Sequence, residues 1–174
     1  MKGNHRIIIQ NKRIRYDFTI RRNLTVIQGN SATGKTTLIA MIQEYDENGS
    51  ASGIQLTSDK KCTTLSGQRW ETELSSIKDS IIFIDEGNKF IFGDRFASLI
   101  QHTDNYYVIV TRESIPSLPY STKEIYGIRN SGKYGRLKQT YNEFFPLYPS
   151  DLPTKKDVPK IIITEDSNIS LSKP

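Results

Sequence analysis

One stretch constrains this chain more than any other: Leu24 to Leu38, reading L-T-V-I-Q-G-N-S-A-T-G-K-T-T-L. An apolar, β-branched run from Leu24 to Ile27 breaks at Gly29. Gly34, Lys35 and Thr36 follow at the spacing G-x-x-x-x-G-K-[ST], and Leu38, Ile39, Met41, Ile42 and Tyr45 then recur with helical period. The pattern predicts a strand, a tight loop and a helix. Gly29 and Gly34 let the backbone turn closely enough for successive amides to point inward at a polyphosphate, where the positive end of the helix adds to the attraction.

Residues 29 to 36 resemble the Walker A motif of the P-loop NTPase superfamily. The resemblance implies that Gly29, Asn30, Ser31, Ala32, Thr33, Gly34, Lys35, Thr36 and Thr37 form the nucleotide cradle. Lys35 then lies between the β- and γ-phosphates, and the Thr36 hydroxyl ligates Mg²⁺, a hard cation that prefers oxygen and keeps several waters.

A second informative stretch is Ser80 to Glu86, S-I-I-F-I-D-E. Four apolar residues ending in two carboxylates suit a central parallel strand, which is buried on both faces and delivers ligands at its C-terminal end. Fifty residues beyond Lys35, this resembles a Walker B motif followed by a catalytic glutamate. Asp85 is then a metal ligand acting through water, and Glu86 the base that orients and deprotonates the attacking water. A further β-branched run, Tyr106 to Val110, ends at Thr111 and Arg112. In additional-strand ATPases of the ABC, SMC and AAA kind the strand after Walker B carries a residue that senses the γ-phosphate, which makes Thr111 the first candidate and Arg112 the second. Leu65-Ser66-Gly67-Gln68 looks like a shortened cassette signature, lacking one glycine; its plain alternative is a hydroxyl-rich loop that caps the next helix.

The remaining chain reads as support. Arg6–Gln10 and Arg13–Ile20 are two strands of a hairpin, the second alternating Ile14, Tyr16, Phe18 and Ile20 with polar residues, so that one face is buried. Asp46 to Gly53 reads as a loop, Ile54 to Thr57 as a short strand, and Trp70, Leu74 and Ile77 as one helix face with Trp70 an anchor of the core. Asp94 caps a helix bearing Phe96, Leu99 and Ile100. Glu124–Ile128 and Tyr134–Tyr141 form a late hairpin carrying Lys123, Arg129, Lys133, Arg136 and Lys138, a source of an arginine finger or a solvated face. These elements predict an α/β P-loop three-layer sandwich over residues 1–148: a mostly parallel sheet with helices on both faces, plus an antiparallel N-terminal hairpin and the late hairpin. Residues 149–174 read as a Pro-rich tail with an apolar run at Lys160 to Thr164, either an edge strand or the start of a further unit.

Charge and composition narrow the function. The net charge of +5 is uneven, at +7 over residues 1–40 and −4 over residues 41–100. The basic excess near the loop supports a polyphosphate or a solvated face, with nucleic acid as a weaker reading. A lone Cys62 forms no internal disulfide, and His5 and His102 form no metal or nucleophile set with it. With neither a leader-like segment nor an apolar run of about 18 residues, the chain is expected to be cytoplasmic and not in a membrane. The expected activity is Mg²⁺-dependent ATP hydrolysis, coupled to work by a protein partner or by self-association. ATP is favoured over GTP because no N-K-x-D element is present. A small-molecule or nucleotide kinase, and a non-catalytic ATP-binding module, use the same loop and stay as alternatives.

Overall fold

A computed structural model describes residues 2–29, 34–131 and 139–148. Their strands form one nine-stranded sheet in the order β4-β1-β2-β9-β8-β3-β7-β6-β5. Five neighbours at one side run parallel. They are β5 (Lys61–Thr64), β6 (Ser80–Ile84), β7 (Tyr106–Thr111), β3 (Leu24–Gln28) and β8 (Ile125–Asn130). β3 is central here, paired with β7 on one side and β8 on the other. Every residue of β6 and β7 is buried, as expected of strands covered on both faces. The unbroken apolar runs in the sequence are the direct cause.

The other four strands are of a different kind. β1 (Lys2–Gln10) pairs antiparallel with β2 (Ile14–Arg22) and with the short β4 (Gln55–Thr57). β9 (Thr140–Pro146) runs antiparallel to β8 and parallel to β2. Through β9 the N-terminal hairpin is therefore an integral part of the main sheet.

This overturns the expected architecture. The molecule is a mixed, curled nine-stranded sheet with three α-helices among the described residues, and not a helix-flanked, mostly parallel three-layer sandwich. Two physical reasons account for it. The register Tyr16↔Asn142 fuses what read as two separate hairpins into one surface. And two of the helices, α2 (Trp70–Ser76) and α3 (Asp94–Ile100), have only seven residues each, too short to flank a nine-stranded sheet. The longest helix, α1 (Lys35–Asn48), runs five residues past Gln43 through the start of the segment that reads as a loop.

Two cores result. On one face Leu38, Met41 and Ile42 of α1 pack with Phe83, Val108 and Val110, and with Ile7, Ile9, Tyr16, Phe18 and Ile20 of the hairpin. The sheet thus curls round α1. On the opposite face Trp70, Leu74, Phe96, Ala97 and Ile100 cover Ile82, Ile84, Tyr107 and Ile109. Trp70 is a core residue as expected, stacked on Phe90 with ring centroids 4.8 Å apart. Two boundaries moved. β9 extends through Phe144 and Phe145 where the text turns Pro-rich, and β5 was not expected, because Lys61-Cys62-Thr63-Thr64 carries no apolar run. Lys160 to Thr164 lies outside the described residues. Among those residues no helix is long and apolar enough to cross a membrane.

Candidate functional site

Parallel strands end at one edge of a sheet, and the loops leaving that edge are where such folds hold ligands. Gln28 ends β3, Ile84 ends β6 and Thr111 ends β7. Lys35, Asp85, Glu86 and Arg112 follow directly from these strand ends.

Two glycines stand at the ends of the loop after β3. Gly29 has φ +149° and Gly34 φ +88°, so both lie where L side chains are strained. Gly34 is the cap of α1, and α1 has neither an acidic residue in its first turn nor a side chain capping its N-terminus. The amides and dipole of that end therefore attract an anion without an internal carboxylate in competition. Lys35 is 6% exposed and its Nζ donates to the Gly29 carbonyl at 2.7 Å, folding the side chain back to the end of β3. Burial pushes the Lys35 amine below its ordinary range and Arg112 adds to this, while Glu86 and Asp85 push the other way. Thr36 and Thr37 are exposed on the first turn. Asn30, Ser31, Ala32 and Thr33 lie outside the described residues.

The second wall is the pair of carboxylates. Asp85 and Glu86 are half-buried just past β6. Glu86 Oε1 lies 2.9 Å from Arg112 Nε, an ion pair across the adjacent ends of β6 and β7. Gln28 ties β3 into the same cluster by donating to the Arg112 carbonyl at 3.3 Å. Thr111 is buried and its hydroxyl is used locally: it donates to the Glu113 carbonyl at 2.9 Å and accepts from the Glu113 amide at 3.0 Å. Of the two candidate sensors, Arg112 is the one whose side chain faces the carboxylates. Among the described residues no three His, Cys, Asp or Glu side chains gather around a metal position.

The Leu65-Ser66-Gly67-Gln68 segment leaves β5 at this edge. Leu65 is buried, whereas Ser66, Gly67 and Gln68 are exposed. Asn88 joins the segment to the carboxylate turn: its Oδ1 accepts from the Gly67 amide at 3.0 Å and its Nδ2 donates to the Asp85 carbonyl at 3.1 Å. Other charged candidates are engaged elsewhere. Arg129 pairs with Glu143 at 3.0 Å and lies over the Phe145 ring. Lys133, Arg136 and Lys138 lie outside the described residues. His5 Nδ1 is 2.7 Å from Asp59, and burial pushes the Cys62 thiol up to about 11. Neither belongs to the edge described above.

Sequence reading missed Tyr16 and Asn142. Both alternate inward on strands that look purely structural, and no sequence pattern distinguishes them from core residues. Yet the Tyr16 hydroxyl donates to the Gly34 carbonyl at 2.7 Å. No protein-family model matches this chain, and no curated protein matches it.

Proposed function

We propose that the chain binds a nucleoside triphosphate, ATP by preference, at the carboxyl edge of its parallel strands and hydrolyses the terminal phosphate. The observation that carries this reading is the convergence of four charges from three neighbouring strand ends. A buried, desolvated Lys35 folds back to the end of β3, electrostatically coupled to Glu86, Arg112 and Asp85. A polyphosphate on the loop relieves the cost of burying the Lys35 ammonium by supplying opposite charge. The donor set fits a hard cation that keeps most of its waters, since Thr36 and Asp85 are both open to solvent. Mg²⁺ bound there supplies charge neutralisation for the phosphates.

Residue roles follow. Glu86 takes a proton from water as the water oxygen bonds to the terminal phosphorus and the bond to the leaving ADP oxygen breaks. Lys35 and the loop amides stabilise the charge that develops on the phosphoryl oxygens. Glu86 first has to leave Arg112, and a terminal phosphate beside Arg112 competes for its guanidinium. A protein partner, or a second copy of the chain, converts the cycle into work.

The test follows γ-labelled ATP in the presence of Mg²⁺. Free labelled phosphate is expected from the native chain and none from Lys35→Ala, while Glu86→Gln retains bound ATP without turnover. Label transferred to an added acceptor makes the chain a kinase. Label that stays on bound ATP makes it a binding module, and sizing that gives an unchanged monomer with and without Mg-ATP removes self-association.

A further inference from the structure

The Gly34 carbonyl has two donors. It accepts the first helical bond of α1 from the Leu38 amide at 3.0 Å, and it accepts the Tyr16 hydroxyl at 2.7 Å. Tyr16 comes from β2, far away in sequence, and its ring is fully buried. The side chains of Asn142 and Thr37 lie beside the same phenol and offset part of the effect of its burial. Asn142 is the register partner of Tyr16 on β9 and is itself 7% exposed. Tyr16 and Asn142, both buried, thus bring the antiparallel half of the sheet against the cap of α1.

Stereochemistry gives this contact a consequence at the loop. The peptide joining Gly34 to Lys35 is trans and planar, so its C=O and N–H point in opposite directions. Fixing the carbonyl against Tyr16 fixes the amide of Lys35 away from the β2 wall. As the first residue of α1, Lys35 presents its N–H at the N-terminal end of the helix. The space is reserved as well: a Cβ on Gly34 would sit 2.8 Å from the Tyr16 oxygen and 3.3 Å from Asn142 Nδ2.

We infer that Tyr16, held by Asn142, is a positioning residue for phosphate binding: it clamps the Gly34 peptide so that the Lys35 amide is aimed at an anion on the loop. The inference rests on the phosphate-binding reading above. Burial raises the phenol above its ordinary range, so the hydroxyl keeps the proton it donates. The antiparallel half of the sheet is by this means part of the binding apparatus.

The experiment compares the native chain with Tyr16→Phe, which keeps the buried ring and deletes only the hydroxyl. Calorimetric titration with inorganic tripolyphosphate and with Mg-ATP is expected to show about fivefold weaker binding of both probes to the variant, the size of one lost hydrogen bond. The Lys35 amide resonance, which tripolyphosphate shifts in the native chain, is expected to shift less in Tyr16→Phe. A merely structural hydroxyl would lower the melting temperature and leave both readouts unchanged at a temperature where the variant is folded, and that result overturns the clamp. Asn142→Leu, which leaves the hydroxyl in place but removes its support, gives a smaller loss in the same direction and serves if Tyr16→Phe does not fold; equal binding by that variant also overturns the clamp. Failure of the native chain to bind either probe overturns the phosphate reading itself, a distinct outcome from native binding that the substitutions leave untouched.

Discussion

The two halves of the sheet use their residues in opposite ways. In the parallel half, β6 and β7 are buried along their whole length, and their charged residues appear only past the carboxyl ends. There Lys35, Asp85, Glu86 and Arg112 act on one another. In the antiparallel half, β2 alternates buried and part-exposed residues, and its charges are spread along an open face. They pair across strands, Arg6 with Asp17 and Arg129 with Glu143. Concentrated charge at a strand end makes a site, whereas the same number of charges distributed over a sheet face makes a solvated surface.

Core substitutions give the largest effect that separates the halves. Phe83 is fully buried in β6 between its neighbouring strands, and Phe145 is part-buried on the open face of β9 under Arg129. Denaturant unfolding is expected to show a cost of about 4 kcal/mol for Phe83→Ala and of about 1 kcal/mol for Phe145→Ala. Equal costs would mean that the antiparallel face is covered in solution, and the contrast drawn above would fail.

The next effect concerns the place where the halves meet. Gly34 and Gly53 both have positive φ, at +88° and +73°, yet a Cβ on Gly53 meets nothing within 4 Å while one on Gly34 strikes Tyr16 and Asn142. Gly53→Ala is expected to cost about 1 kcal/mol, the left-handed penalty alone. Gly34→Ala adds a buried collision and is expected to cost about 3 kcal/mol in unfolding. It should also weaken tripolyphosphate binding, which Gly53→Ala leaves unchanged. Similar unfolding costs for the two would show that the Tyr16 wall yields easily.

These contrasts mark what was legible in the sequence. Local signals survived: the strand and helix on either side of the glycines, the buried strand before Asp85, the strand before Thr111 and the alternation of β2 are all where hydrophobic period places them. What was illegible depended on pairing. Nothing in Tyr16 or Asn142 announces that β2 and β9 lie side by side, and that parallel pairing turned a helix-flanked sandwich into a curled mixed sheet. β5 was missed because its burial comes from Cys62 and Thr63 beside α1 and β6, not from an apolar run. At the site, spacing located Lys35 and the carboxylates. It could not tell Thr111, whose hydroxyl closes its own turn, from Arg112, which meets Glu86.

The thiol of Cys62 sharpens the contrast chemically. With its pKa raised to about 11 by burial, the thiolate fraction at pH 8 is on the order of one in a thousand, against roughly one in four for an unperturbed thiol. Alkylation of the native chain should therefore be at least about 100-fold slower than that of the chain in denaturant. Comparable rates would mean that β5 detaches readily from the parallel edge.

The smallest expected effect is a pH response of the same sign in the two halves but in different pH windows and from opposite causes. Asp17, hydrogen-bonded first by Arg6 and then by Arg15, has its carboxyl held below the usual range. A depressed carboxylate contributes stability above its unfolded pKa of about 3.9 and loses it as pH falls through the lower folded value. Lys35 has its pKa depressed by burial. For a cation the charged form is the costly one, yet stability again rises with pH: the cost of burying the charge is fully present below the folded pKa and is relieved as pH rises toward the unfolded value of about 10.4. Melting temperatures of the native chain minus those of Asp17→Asn should thus be positive near neutrality and shrink below about pH 4. Native minus Lys35→Met should rise from pH 8 to pH 10. A flat Lys35 difference would mean that its ammonium is already compensated by Glu86 and Asp85. Lys35 would then not be poised for an incoming phosphate, and the distinction between a charged site and a charged surface would rest on position alone.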